Sequence, residues 1–232
     1  CNMTFAELLQ NNYIFLDGGM GTMLQARGMQ AGERPELLNL KDPALVEQVQ
    51  RAYVEAGSNI ICSNTFGANR AKLTGSGATV QQVIPAAIQC ARRAAAGKAL
   101  VALDLGPTGQ MLEPTGSLTF EQAYDLYAEQ VDAGQEADLI LIETMTDLYE
   151  IRAAVLAAKE HGNGKPVIAL MTFEHTGRTF TGCSVSAMAL TLEGLGVDAM
   201  CINCSIGPDE LYPVVEELCR WTTLPLLIKP NA

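Results

Sequence analysis

Leu139-Ile140-Leu141-Ile142-Glu143-Thr144-Met145-Thr146-Asp147-Leu148 holds one repeat of the fold in ten residues. Leu139–Ile142 is too continuous for a strand wetted on one face and too short for a helix, so it predicts a strand buried on both faces of a parallel sheet. The run stops on a carboxylate. Asp147, with Glu150 three residues on, then reads as a capping box opening a helix over Leu148–His161 that Gly162 closes. Strand, polar strand end, helix: the same unit recurs. Apolar runs at Tyr13–Leu16, Asn59–Ser63, Ala99–Leu103, Val167–Met171, Ala199–Ile202 and Leu224–Ile228 alternate with amphipathic segments. Asp42-Pro43 opens one such segment, Leu45, Val49, Ala52 and Ala56 line its apolar face, and Gly57 ends it. Thr119 with Gln122 predicts a capping box before Phe120–Ala133, and Pro208 opens a helix after the sixth run. Pro85 and Pro213 fall inside helical patterns and predict a kink or a late start.

Seven runs without a linker or a composition break imply one α/β domain over residues 1–232. A doubly wound dinucleotide fold would want G-x-G-x-x-G after the first strand and an acid ending the second. The first turn, Asp17-Gly18-Gly19-Met20-Gly21-Thr22-Met23-Leu24, lacks the third glycine, and the second run ends in Ser63-Asn64-Thr65. A (β/α)8 TIM barrel instead predicts chemically able residues at nearly every strand end, because its site lies on that face. The strand ends here are Asp17, Ser63 to Thr65, Asp104, Glu143-Thr144, Thr172, Asn203-Cys204 and Asn231. The barrel fits better. Its seventh strand runs into the last residue, Ala232, so the expectation is a barrel truncated after strand seven, lacking its C-terminal βα unit.

Composition narrows the function classes. The formal net charge is −11, from 26 acidic and 15 basic residues with no Lys/Arg cluster, which argues against nucleic acid as a partner. No apolar run approaches the ~20 residues of a membrane-spanning helix, and the N-terminal residues show no secretory pattern. Seven cysteines are an odd number in a chain too large to need disulfide staples, which points to a reducing cytoplasm.

Cys204 stands at a strand end just before a helix, where amides favour the thiolate that ligates metal or attacks carbon. Cys62, Cys90, Cys201 and Cys219 read as small core residues, and Cys183 as an exposed spectator in a polar loop. Cys201 and Cys204 form C-x-x-C, but an odd offset along a strand sends their side chains to opposite faces. Asp17 and Glu143 follow apolar strands and suit capture of a substrate ammonium; the competing reading is a pair of loop-bracing acids. Gly18-Gly19 and Gly21 let backbone approach a ligand or make a turn, and Gly106-Pro107-Thr108-Gly109 lines a pocket or turns the chain. His161 reads as a helix C-terminal dipole partner. His175, in a loop on the Cys204 face, would serve a Cys204/His175 nucleophilic hydrolase or simply be solvated.

Several of these stretches, in order, resemble the homocysteine S-methyltransferase family: Leu16-Asp17-Gly18-Gly19-Met20-Gly21-Thr22, Ala56–Ile61 with Asn64-Thr65-Phe66-Gly67-Ala68-Asn69, Gly106–Gly109, Glu143–Asp147, Cys201–Pro208 and Lys229-Pro230-Asn231-Ala232. The likeness runs from about Tyr13 to the last residue and is nearest to the homocysteine module of the cobalamin-dependent methionine synthase branch. Thr144-Met145 stand where the betaine-using branch has aromatic residues.

The resemblance implies a (β/α)8 barrel and zinc-dependent methyl transfer to the thiol of homocysteine, giving methionine. Cys204 matches one zinc ligand, and the other two, an adjacent Cys-Cys pair after strand eight, are absent from this sequence. Asp17 and Glu143 match the ligands of the homocysteine amine, with Gly18, Thr65, Asn203 and Asn231 lining the pocket. No protein acid or base is implied, since the metal-held substrate thiolate is the nucleophile. The donor implied is a methyl-corrinoid, cobalamin on a partner domain or protein, with S-methylmethionine as the other candidate. The alternative is a truncated, zinc-deficient barrel that binds an amino acid or a corrinoid partner without catalysis.

Overall fold

The computed structural model describes residues 4–10, 13–174, 176–204 and 207–229, with Cys204 described by its backbone alone. Among them are six strands: β1 Ile60–Cys62, β2 Leu100–Leu105, β3 Leu139–Met145, β4 Val167–Phe173, β5 Ala199–Cys204 and β6 Leu226–Lys229. They form one sheet in chain order, β1-β2-β3-β4-β5-β6, and the β1–β2, β4–β5 and β5–β6 ladders are parallel. Each consecutive pair is joined through at least one helix, the crossover that parallel strands require. The fold is α/β with a parallel sheet. No helix among the described residues is long and apolar enough to cross a membrane.

The first apolar run departs from expectation. Leu16 makes only an isolated parallel bridge to Ile60, flanked by Asn59 N donating to Phe15 O (2.7 Å) and Asp17 N donating to Ile60 O (3.1 Å). Tyr13 and Phe15 are 79 % and 63 % exposed. A run with so little to bury pairs over a few residues and goes no further.

The chain divides into two compact units, Cys1–Leu105 with Glu129–Ile140, and Gly106–Ala128 with Leu141–Ala232. In the first, β1 and β2 are buried at every position. Helix Val80–Ala95 turns Val83, Ile84, Ala87, Ile88 and Ala91 inward at the 3–4 spacing of one face. Pro85 does not delay this helix, which starts at Val80 and continues past it. Asp42 caps helix Pro43–Glu55 by accepting from Leu45 N (3.1 Å), as its sequence foretells.

In the second unit, Asp147 caps helix Leu148–His161 through Tyr149 N (2.9 Å). Glu150 does not complete the capping box. Its buried Oε1 accepts instead from Thr108 N and Thr108 Oγ1 (both 2.7 Å) and from Tyr127 Oη (2.9 Å). Three donors in a buried site outcompete one exposed N-cap amide. This cluster braces the Gly106–Gly109 turn, and burial, with Glu150 beside it, pushes the Tyr127 phenol well above its usual range. Helix Pro208–Leu218 starts on Pro208 and runs through Pro213 unbroken.

The N-terminal ends of the strands share one device. Asn59 Oδ1 accepts from Phe15 N (2.9 Å), Asp138 Oδ2 from Val101 N (2.8 Å), and Asp198 Oδ2 from Val167 N (2.8 Å). Each side chain precedes one strand and ties down the start of the strand before it. Arg92 adds a two-pronged pairing to Asp138, and Lys159 a single contact to Asp198 at 3.1 Å.

Candidate functional site

In the second unit the parallel register sets Thr172 beside Asn203, and Asn203 beside Lys229, as one rung across β4, β5 and β6. The rung reaches back to the end of β3. Asn203 Oδ1 accepts from Thr172 Oγ1 (3.0 Å), and Asn203 Nδ2 donates to Thr144 Oγ1 (2.8 Å). Lys229 Nζ donates to Glu143 Oε2 at 2.7 Å, with the two side chains 21 % and 15 % exposed. Consecutive residues of β3 are thus gripped by neighbouring residues of β5 and β6.

Thr144 is the strained member, with φ +63°. A β-branched residue there crowds its Cβ against its own backbone, costing about 1–2 kcal/mol. Such strain persists only where surrounding contacts enforce it, and it concentrates at functional sites. Here the Asn203 amide holds Thr144 in place as Glu143 is presented to Lys229.

In the first unit Asp17 is buried, and its Oδ2 accepts from Cys62 N at 2.7 Å, so it braces the bridge between the first run and β1. At Gly18 a Cβ would lie 2.9 Å from Tyr53 Oη, which itself donates to Gly19 O, so a larger residue there would displace the end of that side chain. Thr65 is fully buried and donates to the Asp104 carbonyl (2.7 Å), while Ser63 Oγ lies 2.8 Å from Thr65 Oγ1 and accepts from Asp104 N (3.3 Å). That interlock fixes the ends of β1 and β2.

The structure therefore places Asn203 and Glu143 in two adjoining sets of contacts at the end of β3, and Asp17, Gly18 and Thr65 at strand ends in the first unit. Asn231, His175 and the side chain of Cys204 lie outside the described residues. His161 ends its helix with Nε2 3.1 Å from Tyr124 Oη. Cys201 is buried. Cys183 is half-buried rather than exposed; its thiol donates to Ser184 O (3.3 Å), and burial pushes its pKa up.

The described residues do not by themselves fit a zinc ion: no three His, Cys, Asp or Glu side chains among them converge. Burial pushes the thiols of Cys90 and Cys183 above their usual range. Sequence reasoning placed Thr144 and Thr172 among the strand ends but not their contacts with Asn203, and it missed Lys229 as the partner of Glu143. The available signal was their position, each the polar end of an apolar run.

A parallel α/β chain with preorganised polar groups at its strand ends has the layout of a small-molecule enzyme domain. A family model described as homocysteine S-methyltransferase matches residues 14–232. Methionine synthase of Mycobacterium tuberculosis is 32 % identical over 250 residues, covering 97 % of this chain and 21 % of that protein. The chain spans about a fifth of the length of the curated relatives it matches. The metallated form of the homocysteine methyltransferase MmuM from Escherichia coli superposes with a TM-score of 0.86 at 25 % identity, covering 97 % of this chain and 86 % of that one. The carboxyl transferase domain of Rhizobium etli pyruvate carboxylase with pyruvate shares the fold alone, at a TM-score of 0.58 and 14 % identity, over 98 % of this chain and 37 % of that one. This chain belongs to the homocysteine S-methyltransferase family.

Proposed function

We propose that the protein containing this chain transfers a methyl group to the thiol of homocysteine, giving methionine, and that residues 1–232 are a single (β/α)8-type barrel domain that holds the amino acid. One observation carries the reading. Glu143, at the end of β3, already holds an ammonium group at 2.7 Å, the contact that an amino acid's own ammonium would make. Asp17 is the second carboxylate assigned to that ammonium, with Gly18, Thr65, Asn203 and Asn231 lining the pocket. The Thr172–Asn203–Thr144 bridge fixes the end of β3 before the substrate arrives, so orientation is not lost to side-chain motion.

A free alkyl thiol is only a few per cent thiolate at neutral pH, so the reaction needs a group that favours the deprotonated sulfur. In the proposed reaction the thiolate attacks the methyl carbon in line. The new S–C bond forms as the donor's bond to methyl breaks, its electron pair leaving with the donor. Cys204 is the residue assigned to zinc; the described residues carry no step through that metal. The donor we favour is a methyl-corrinoid, cobalamin presented by a partner domain or protein, on the likeness to methionine synthase. S-methylmethionine is the alternative. A reducing compartment, the cytoplasm, suits the free thiols of Cys62, Cys90, Cys183, Cys201 and Cys219.

The test is methionine formation by the full-length protein from homocysteine with methylcobalamin or S-methylmethionine, alongside a metal analysis. Cys204→Ser is expected to lose both zinc and turnover. A variant that keeps both overturns the assignment of Cys204.

A further inference from the structure

In the first unit, the chain after β1 meets the segment that opens the short helix Pro35–Leu37, and a cavity of about 460 Å³ lies where they join. Arg34, Glu36, Phe66, Gly67, Lys72 and Thr74 face it. None of them belongs to the contacts at the strand ends. The two walls are tied together. Buried Glu36 accepts from Gly67 N through Oε1 (2.7 Å), and Asn64 Nδ2 donates to Pro35 O (2.7 Å). Asn39 Nδ2 donates to Glu36 O (2.7 Å) and to Asn64 O (2.8 Å), and buried Asn69 accepts from Lys72 N (2.8 Å). Walls joined by buried side-chain-to-backbone bonds keep their shape without a ligand, so binding costs little ordering.

The lining pairs an aromatic ring with two cations. Phe66 is half-buried, and Lys72 Nζ stands 5.4 Å from its ring centroid, near the outer limit of a cation–π contact. Arg34 is exposed and forms no ion pair among the described residues. The one carboxylate, Glu36, directs its charge at Gly67 N. Two cations against one acid leave the lining positive in a chain of net charge −11. That overall charge disfavours a polyanion, but not a small dianion held where two cations meet.

We propose that this cavity binds a nucleoside monophosphate, its base lying on Phe66 and its phosphate held by Arg34 and Lys72. The flat Arg34 guanidinium meets two phosphate oxygens at once. Lys72 has three N–H donors, so it keeps the contacts it makes and adds a phosphate oxygen. The volume falls within the roughly 300–1,000 Å³ of small-molecule sites. Every base offers a flat face to an aromatic ring, so the site selects for a ring joined to a phosphate rather than for one base.

Calorimetric titration of the full-length protein with AMP and GMP, and with adenosine and ribose 5-phosphate as controls, tests it. Both nucleotides should bind, and each control about tenfold more weakly or worse, since each lacks one of the two contacts. Arg34→Gln should weaken AMP about tenfold and leave adenosine unchanged. Phe66→Ala should weaken AMP and adenosine alike and leave ribose 5-phosphate unchanged. Arg34 is exposed, so its variant is expected to fold, and thermal melts check both variants. Failure of AMP and GMP to bind, binding that neither variant alters, or equal binding of AMP and either control overturns the proposal.

Discussion

The two ends of the strands use similar residues for opposite purposes. At the N-terminal ends Asn59, Asp138 and Asp198 each accept a backbone amide of the strand before, and Arg92 and Lys159 neutralise the two acids. Those contacts join side chain to main chain, so they fix register. At the C-terminal ends of the second unit the contacts run from side chain to side chain, through Glu143–Lys229 and Thr172–Asn203–Thr144, and one residue is strained. Asp138 and Asp198, tied to backbone, cannot leave without loosening the start of a strand. A group tied to another side chain can exchange its partner for a ligand, and strain held beside it is the expected mark of a site shaped for binding.

The sharpest way to break this contrast is to damage the N-terminal end. Asp138→Ala removes an acceptor from Val101 N and strands Arg92, and should destabilise the chain by about 2 kcal/mol. Asp198→Ala, with a lysine contact in place of the two-pronged arginine, should cost about 1 kcal/mol. Denaturant titration measures both, and KM for homocysteine should not move in either. A KM change without a stability change would erase the distinction.

Thr144→Gly sharpens it from the other side. Relief of the positive φ, about 1–2 kcal/mol, offsets the lost hydrogen bond to Asn203, about 1 kcal/mol. Stability should therefore change by less than about 1 kcal/mol, while KM rises because the end of β3 is no longer held. A loss of several kcal/mol would show Thr144 to be a structural residue.

Much of this was legible in the sequence. Continuous apolar runs gave β1 to β6, and the caps at Asp42 and Thr119 act as their spacing foretells. Polar residues closing those runs marked the site before any geometry was known. What stayed hidden depends on distant partners. Lys229 and Glu143 are 86 residues apart on β6 and β3, and nothing local in either stretch points to the other. Thr144 reads as an ordinary β-former, since nothing local forces its φ positive. Glu150 has the spacing of a capping residue, yet it is drawn inward by Thr108 and Tyr127. The first run looked like a strand because its apolar character was visible and its exposure was not.

The most direct measurement is the preference of the full-length protein for L-homocysteine over 4-sulfanylbutanoate, the same thiol without its amine, in methyl acceptance by the parent and by Glu143→Gln. The parent should favour homocysteine strongly, and the variant should accept both at similar, low efficiency. A variant that still discriminates between them as the parent does would mean that the amine is read elsewhere, and that the end of β3 is not where this family member holds its substrate.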